Sequence, residues 1–519
     1  MGVSFAGKRA LITMKHVGLN VASDPLMNGA LLGIKGGLVI AVADDPGMHS
    51  SQNEQDSRYY AQFAMVPCLE PRSQQEAYDM TREAFEVSER FHVPVLLRLT
   101  TRLSHARSQV TVSGSGVENP LAKATDKSQW LLLPAYARRN YLTLIEKQQD
   151  FLDWSTDYSA QTLELPGGAE ERDGSLAVIT AGLGGNYYDE NLEDFAASRN
   201  GRIPARLHIG AYPLPVRLIE RLCENAERVI IIEEGQPFIE ERLRGLLPQN
   251  IRITGRLDAG VSPGAAGGVA GTVPRSGELD PDAVRRCLGL EPRPNILNTG
   301  FSLSGSAAGD SPIAKFTPLD IPLLPGRPPQ LCQGCPHGDS YEAMQEAVKD
   351  LDPSQVAITS DIGCYALGAS PPLSVPETIV CMGASIGMAK GAAESGIRYA
   401  LGVIGDSTFL HSGIPGLIDA VVANTPMTIA ILDNSTVAMT GCQPTILTSE
   451  QIKNLILGTG LKAEHLVELE AKKASLAENA TRLRQELEYP GLSVVIFRRE
   501  CLESIRRRRS AAAAEGGEP

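Results

Sequence analysis

At 519 residues, with 43% hydrophobic content and a formal net charge of −13, the chain is long enough for about three domains and too acidic for nucleic acid to be its main partner. It has no unbroken apolar run of about 18 residues and no charged-then-apolar leader, so the expectation is a cytoplasmic protein with no membrane partner. Nine cysteines in that setting point to metal or cluster ligation where spacings are short, rather than to disulfides.

Residues 1–150 alternate apolar runs with turns. Strands are predicted over 10–14, 37–43 and 94–98, with a helix over 74–90 before the last. Two loops, Lys15-His16-Val17-Gly18-Leu19-Asn20 and the stretch from Asp44 to Asp56, are too polar for a core and are either solvated or part of a site. Residues 151–174, with Pro166-Gly167-Gly168, read as a linker. A smaller α/β unit follows over 175–254, with strands over 176–180, 205–209 and 229–233 and a helix over 216–225. The Gly/Pro/Ser-rich residues 255–317 predict an extended connection.

The domain over 318–505 carries most of the chemistry. An apolar run ends at Gly405-Asp406-Ser407, helical spacing follows over 414–422, and a second apolar run over 427–432 ends at Asp433-Asn434. A right-handed crossover makes the two strands parallel neighbours. Asp406 and Asn434 then sit at carboxyl ends, the edge where open α/β sheets bind ligands. A carboxylate, a carboxamide oxygen and the backbone carbonyl of Thr436 are hard ligands suited to Mg²⁺, which keeps further sites for phosphate oxygens. On their own the same residues also read as a turn and an Asn cap. Gly-Asp-Ser followed by Asn at the next strand end resembles the diphosphate motif of thiamine diphosphate enzymes. Upstream, Cys381-Met382-Gly383-Ala384-Ser385 has the small residues of a helix start whose N–H groups face a ligand, although close helix–sheet packing explains them equally well. Downstream, Leu466, Leu469, Leu476, Ala480, Leu483 and Leu487 predict one helix covering the sheet, a strand over 492–497 precedes Cys501, and 506–519 reads as a disordered tail.

Cys332-Gln333-Gly334-Cys335 supplies two thiols from one turn, Cys364 follows a strand over 356–359, and Cys501 follows the last strand. Four thiolates from three loops at one edge suit zinc or a [4Fe–4S] cluster, while the Cys-x-x-Cys pair alone leaves a redox dithiol or coincidence open. Cys68, Cys223, Cys287, Cys381 and Cys442 read as packed thiols.

Taken together, these segments resemble one family. MKHVGLN and ADDPGMHSSQNEQDSRYYAQFA resemble the pyrimidine-binding domain of indolepyruvate:ferredoxin oxidoreductase alpha subunits, within the 2-oxoacid:ferredoxin oxidoreductase superfamily. The unit over 175–254, with Ala211-Tyr212-Pro213-Leu214-Pro215 and Glu233-Glu234, is similar to their transketolase C-terminal-like domain. CQGCPH, DIGCYALG, MGASIGMAKG, GDSTFLHSG and DNSTVAMTGCQ then follow in the family's order. The fold implied is the α/β thiamine diphosphate-binding fold, two doubly wound parallel-sheet domains with the smaller α/β domain between them.

The resemblance also implies cofactors and partners. Thiamine diphosphate would be bound at Gly383, Ala384, Ser385, Gly405, Asp406, Ser407, Asn434 and Thr436, with Mg²⁺ on Asp406, Asn434 and Thr436. A [4Fe–4S] cluster would sit on Cys332, Cys335, Cys364 and Cys501, and His16 and His49 are candidates for proton transfer. The activity implied is oxidative decarboxylation of a 2-oxoacid, an arylpyruvate such as indolepyruvate, with coenzyme A taking the acyl group. Ferredoxin would accept the electrons, and a smaller beta subunit would complete an oligomer. Rival readings are a non-oxidative thiamine-dependent decarboxylase and a catalytically impaired assembly subunit. The latter arises because in the family the first domain begins upstream of GKRALITMKH and carries there the glutamate that activates the aminopyrimidine. No residue here takes that role, and family members commonly continue past the Cys501 region into a ferredoxin-like domain. The first departure leads to the expectation of a misplaced start, a fragment or a catalytically impaired protein, and the second to later electron carriers on another polypeptide or a product truncated at that end too.

Overall fold

The computed structural model describes residues 1–114, 116, 118–165, 172–257, 272–293 and 330–515. The chain divides into two compact units, Met1–Ile321 and Pro322–Pro519, rather than three.

The first unit holds two five-stranded sheets. One runs, in spatial order, Ala10–Lys15, Leu38–Asp44, Val95–Thr100, Cys68–Leu69 and Ala211–Tyr212. Its central strands read LVIAVAD and VLLRLT, near-continuous apolar runs because parallel strands are covered on both faces. The other runs Arg252–Thr254, Arg228–Ile232, Arg172–Ala181, Ile203–Ile209 and Thr162–Glu164. The helix Gln74–Phe91 turns Met80, Ala84, Val87 and Phe91 inward at helical spacing. It starts where Ser73 Oγ accepts the Glu76 N–H at 3.1 Å.

Two features fuse these sheets into one unit. Ala211–Tyr212 pairs antiparallel with Cys68–Leu69, so a segment of the second half closes the first sheet. One continuous buried cluster runs from Val39 and Leu97 to Ile179 and Ile231. Inside it lies a charge network. Arg98 Nε donates to Asp44 at 2.7 Å and its Nη1 to Glu70, while Arg58 Nε donates to Asp56 at 2.9 Å and Arg58 Nη1 lies 2.8 Å from Glu233. Both guanidiniums also donate to the Glu234 carbonyl, at 3.1 and 2.9 Å. Burial pushes the Asp44 and Glu233 carboxyls up, and Arg98 and Arg58 pull them back. Against that same burial, Arg58 and Arg98 hold Asp56 down at about 2. Charges removed from water persist only when so paired.

Several expected boundaries move. The 151–174 linker contains the end of helix Gln148–Thr156 and strand Thr162–Glu164, because Phe151 packs edge-on against Phe91 at 4.9 Å. Its Pro166-Gly167-Gly168 lies outside the described residues. Within the expected 255–317 connection, 272–293 is packed: Asp280 caps helix Pro281–Cys287 at 2.6 Å, and Val273, Leu279, Val284 and Cys287 are buried beside Tyr187 and Tyr188. Residues 258–271 and 294–317 are outside the described residues. The expected single helix near 466–487 is instead an edge strand, Leu466–Glu470, and a helix, Leu476–Leu487. Alternation decides it: Val467 and Leu469 are buried while Glu468 and Glu470 face out. The tail is helical over Leu502–Glu515, where Arg507 pairs with Glu503 and donates to the Gly441 carbonyl at 3.0 Å.

The second unit is a six-stranded sheet in the order Thr378–Ile379, Val356–Ser360, Tyr399–Gly405, Thr428–Asp433, Ser493–Arg498 and Leu466–Glu470, all parallel. Helices Pro336–Val348 and Leu476–Leu487 cover one face. Helices Ala384–Glu394, Ile414–Ala423 and Ser449–Gly458 cover the other, giving the doubly wound arrangement. Among the described residues no helix is long and apolar enough to cross a membrane.

Arg98→Ala should lower stability by about 3–5 kcal/mol, since Asp44 and Glu70 would stay buried without their partner. Urea unfolding of the full chain measures this, and an unchanged midpoint would show that the network does not hold the first unit together.

Candidate functional site

Parallel pairing of Tyr399–Gly405 with Thr428–Asp433 sets Gly405 opposite Leu432 and brings Asp406 and Asp433 to adjacent strand ends. Both carboxylates are less than 5% exposed. The Ser435 N–H bridges them, 2.8 Å from Asp406 Oδ2 and 3.0 Å from Asp433 Oδ1. Burial, reinforced by Asp433, pushes Asp406 up to about 7. Asp433 Oδ2 and Ser407 Oγ are buried without a hydrogen-bond partner. Two crowded carboxylates with an unpaired oxygen call for a cation.

Asn434 follows directly. Its Oδ1 accepts the Thr436 N–H at 3.1 Å, which fixes the amide orientation, and its Nδ2 donates to His337 Nε2 at 3.0 Å. Burial, with Arg499 nearby, holds His337 down at about 4, so its ring is neutral and can accept. A cavity of about 180 Å³ opens here, walled by Asp406, Ser407, Asn434, Thr436, His337, Tyr365 and Met439. Gly405 is dictated by contact, since a Cβ there would lie 2.4 Å from the Tyr365 ring.

The helix start at Gly383, Ala384 and Ser385 departs from expectation. Gly383 takes φ +81°, and the helix Ala384–Glu394 begins behind it. The Ser385 N–H and Oγ donate to Asp361 Oδ2, at 3.3 and 2.6 Å, and the Tyr365 hydroxyl donates to the same carboxylate. A carboxylate of this chain already occupies the positive end of the helix, and Met382 is the residue of this segment that lines the cavity.

Cys335 caps helix Pro336–Val348, Cys364 follows strand Val356–Ser360, and Cys501 follows strand Ser493–Arg498. Burial raises the Cys335 thiol, with Cys332 and Cys501 adding to it. Burial likewise pushes Cys364 up to about 11, with Cys335, Cys501 and Cys332 adding to it. Cys332 is exposed, and Cys335, Cys364 and Cys501 are partly exposed. Backbone N–H groups of His337 and Gly338 reach Cys335, and that of Met439 reaches Cys364, ready to stabilise thiolates. Among the described residues no three His, Cys, Asp or Glu side chains converge as one metal ion requires. Zinc would need its sulfurs about 2.3 Å from one point. A polynuclear cluster spreads its ligands wider, and an all-thiol set suits it. Cys381 is exposed and Cys442 partly exposed, unlike the packed thiols expected, whereas Cys68, Cys223 and Cys287 are buried.

In the first unit, Asp45 organises the loop after Leu38–Asp44, accepting from Lys15 Nζ at 3.1 Å, Ser50 N at 3.0 Å and Thr101 Oγ1 at 2.8 Å. His16 is buried, with Nε2 3.0 Å from Asn53 Oδ1 and Nδ1 unpartnered. The side chain of His49 is 53% exposed, 3.7 Å from Glu278.

Sequence reasoning missed Asp433, His337, Asp361 and Tyr365. A carboxylate ending an unbroken apolar run, and a histidine two residues after the cysteine pair, were the signals available.

Comparison with known proteins adds two matches that define the class. Residues 361–473 match the family described as thiamine pyrophosphate enzyme, C-terminal TPP binding domain, and residues 18–156 match pyruvate flavodoxin/ferredoxin oxidoreductase, thiamine diphosphate-binding. This is an α/β thiamine diphosphate-binding fold. Indolepyruvate oxidoreductase subunit IorA of Archaeoglobus fulgidus is 35% identical over 530 residues, spanning 96% of this chain and 76% of that one. The same subunit of Methanothermobacter thermautotrophicus is 34% identical over 529 residues, spanning 99% and 79%. That of Pyrococcus abyssi is 34% identical over 537 residues, spanning 96% and 76%. The chain belongs to this IorA family of oxidoreductase alpha subunits.

A pH dependence follows from the crowded pair. Asp406 keeps its proton in the folded state up to about 7 but loses it above the ordinary 3.8 when unfolded, so stability falls as pH rises between those values. In chelator-treated protein, Asp433→Asn should flatten this fall in melting temperature, and an identical profile in the variant would refute the coupling.

Proposed function

We propose that the chain is the thiamine diphosphate-bearing subunit of an enzyme that oxidatively decarboxylates arylpyruvates such as indolepyruvate. The balanced reaction takes a 2-oxoacid, coenzyme A and two oxidised ferredoxins to acyl-CoA, CO₂, two reduced ferredoxins and a proton. A smaller beta subunit completes the assembly, and a cytoplasmic setting suits its free thiols. The observation that carries this reading is Asn434, which lines a cavity walled by Asp406 and Ser407 and is bonded through its side chain to His337, two residues after Cys335, and through its carbonyl to the Cys501 N–H.

Thiamine diphosphate, when bound, supplies the electron sink for carbon–carbon cleavage. Asp406, the Asn434 amide oxygen and the Thr436 carbonyl hold Mg²⁺, which relieves the repulsion between Asp406 and Asp433. The unpaired Ser407 hydroxyl is free to donate to a phosphate oxygen. Cys332, Cys335, Cys364 and Cys501 hold a [4Fe–4S] cluster, a one-electron acceptor that redox-inert zinc cannot replace. His16, which opens helix His16–Val21 directly after strand Ala10–Lys15 and has a free Nδ1, and His49, on the loop after Leu38–Asp44, are the candidates to move protons. Non-oxidative decarboxylation has no use for the thiol set.

Asp406→Ala should abolish Mg²⁺-dependent thiamine diphosphate binding in calorimetric titration, and unchanged affinity would remove Asp406 as a ligand. Protein purified without oxygen should carry about four iron and four sulfide per chain. Changing Cys332, Cys335, Cys364 or Cys501 to serine should deplete both, and stoichiometric zinc without iron would reject the redox mechanism.

A further inference from the structure

We propose that His337 is a positioning residue that couples the four-thiol site to Asn434, so that filling the thiol site tightens binding of Mg²⁺ and thiamine diphosphate. This rests on the function proposed above.

Asn434 is gripped from both cysteine-bearing segments. Its side chain donates to His337 Nε2 at 3.0 Å, and His337 stands two residues after Cys335 in the first turn of helix Pro336–Val348. Its backbone carbonyl accepts the Cys501 N–H at 3.1 Å. The two segments are tied together by Arg499, which donates to the Gly334 carbonyl at 2.5 Å and to Asp339 at 2.5 Å. A group held by Cys332, Cys335, Cys364 and Cys501 would therefore fix, through side chain and backbone, a residue that lines the cavity.

The thiol side of this linkage is the more exposed one. Cys332 is exposed, whereas His337 is 3% and Asn434 6% exposed. The His337 ring also packs edge-on to Tyr365 at 6.0 Å, and Tyr365 covers Gly405, directly before Asp406. Movement of the Cys332–Cys335 turn thus reaches Asn434 by hydrogen bond and Gly405 by ring contact. Ordering the turn in advance removes an entropic cost that the cofactor would otherwise meet on binding, and the linkage is reciprocal. Couplings of this kind are worth roughly 5- to 150-fold in affinity.

The test compares full-length protein with the thiol site filled, verified by iron and sulfide analysis, against protein stripped by chelation and then freed of chelator. Mg²⁺ and thiamine diphosphate are titrated into each by calorimetry. The filled wild-type chain should bind at least about tenfold more tightly than the stripped one. His337→Ala should bind weakly and equally in both states. His337→Gln, whose side-chain oxygen can accept the Asn434 N–H in place of Nε2, should recover the difference; a merely space-filling role for the ring would not be rescued this way. Equal affinities for filled and stripped wild type, or a full difference retained in His337→Ala, would overturn the coupling alone. If His337→Ala fails to fold, failure of His337→Gln to show the difference overturns it. Absence of iron, or of thiamine diphosphate binding in every form, would overturn the proposed function and the coupling with it.

Discussion

Burying two carboxylates side by side at the ends of neighbouring parallel strands is electrostatically unfavourable, and the second unit is arranged around that constraint. Asp406 and Asp433 share one N–H donor, and the repulsion between them, added to burial, raises the Asp406 carboxyl far above its ordinary range. The strands must end level for this to happen, and the pairing of Gly405 with Leu432 ensures that they do. The chain must then turn at once, which the Asn434 amide accomplishes by accepting the Thr436 N–H. Tyr365 roofs the turn, and only a residue without Cβ fits beneath it at Gly405. A divalent cation at this point would offset that repulsion.

The first unit handles buried charge in the opposite way, by pairing it. Arg58 and Arg98 meet Asp44, Asp56, Glu70 and Glu233 where the two sheets join, so the charges act as a joint between sheets rather than as an open site. That joint, the shared apolar core and the strand exchanged from Ala211–Tyr212 explain why two sequence-level domains are one compact unit.

Much of the site was legible because its signals are local. Unbroken apolar runs ending abruptly in Gly-Asp-Ser and Asp-Asn mark buried parallel strands and the residues at their carboxyl ends, and the structure places both there. The short spacing of Cys332 and Cys335, and the family order of the motifs, marked the thiol set. The 466–487 stretch misled because Leu466 and Leu469 continue the helical spacing of the leucines that follow, whereas Val467 and Leu469 carry the alternation of an edge strand, and pairing with Ser493–Arg498 decides between them. The packed segment 272–293 was hidden by the Gly- and Pro-rich composition around it.

What the sequence determined by itself was the set of elements and the chemical character of their ends: apolar periodicity and turn residues act over a few neighbours, so they can be read in one dimension. What only the tertiary structure decided was which ends meet. The bond between His337 and Asn434 joins residues 97 apart, and Cys501 reaches the Asn434 carbonyl only because its strand lies next to Thr428–Asp433 in the sheet. Asp361, not a free helix end, faces Ser385 for the same reason: strand order places that carboxylate there. Such contacts depend on strand order and on burial shared among distant segments, and neither leaves a trace in the spacing of residues along the chain.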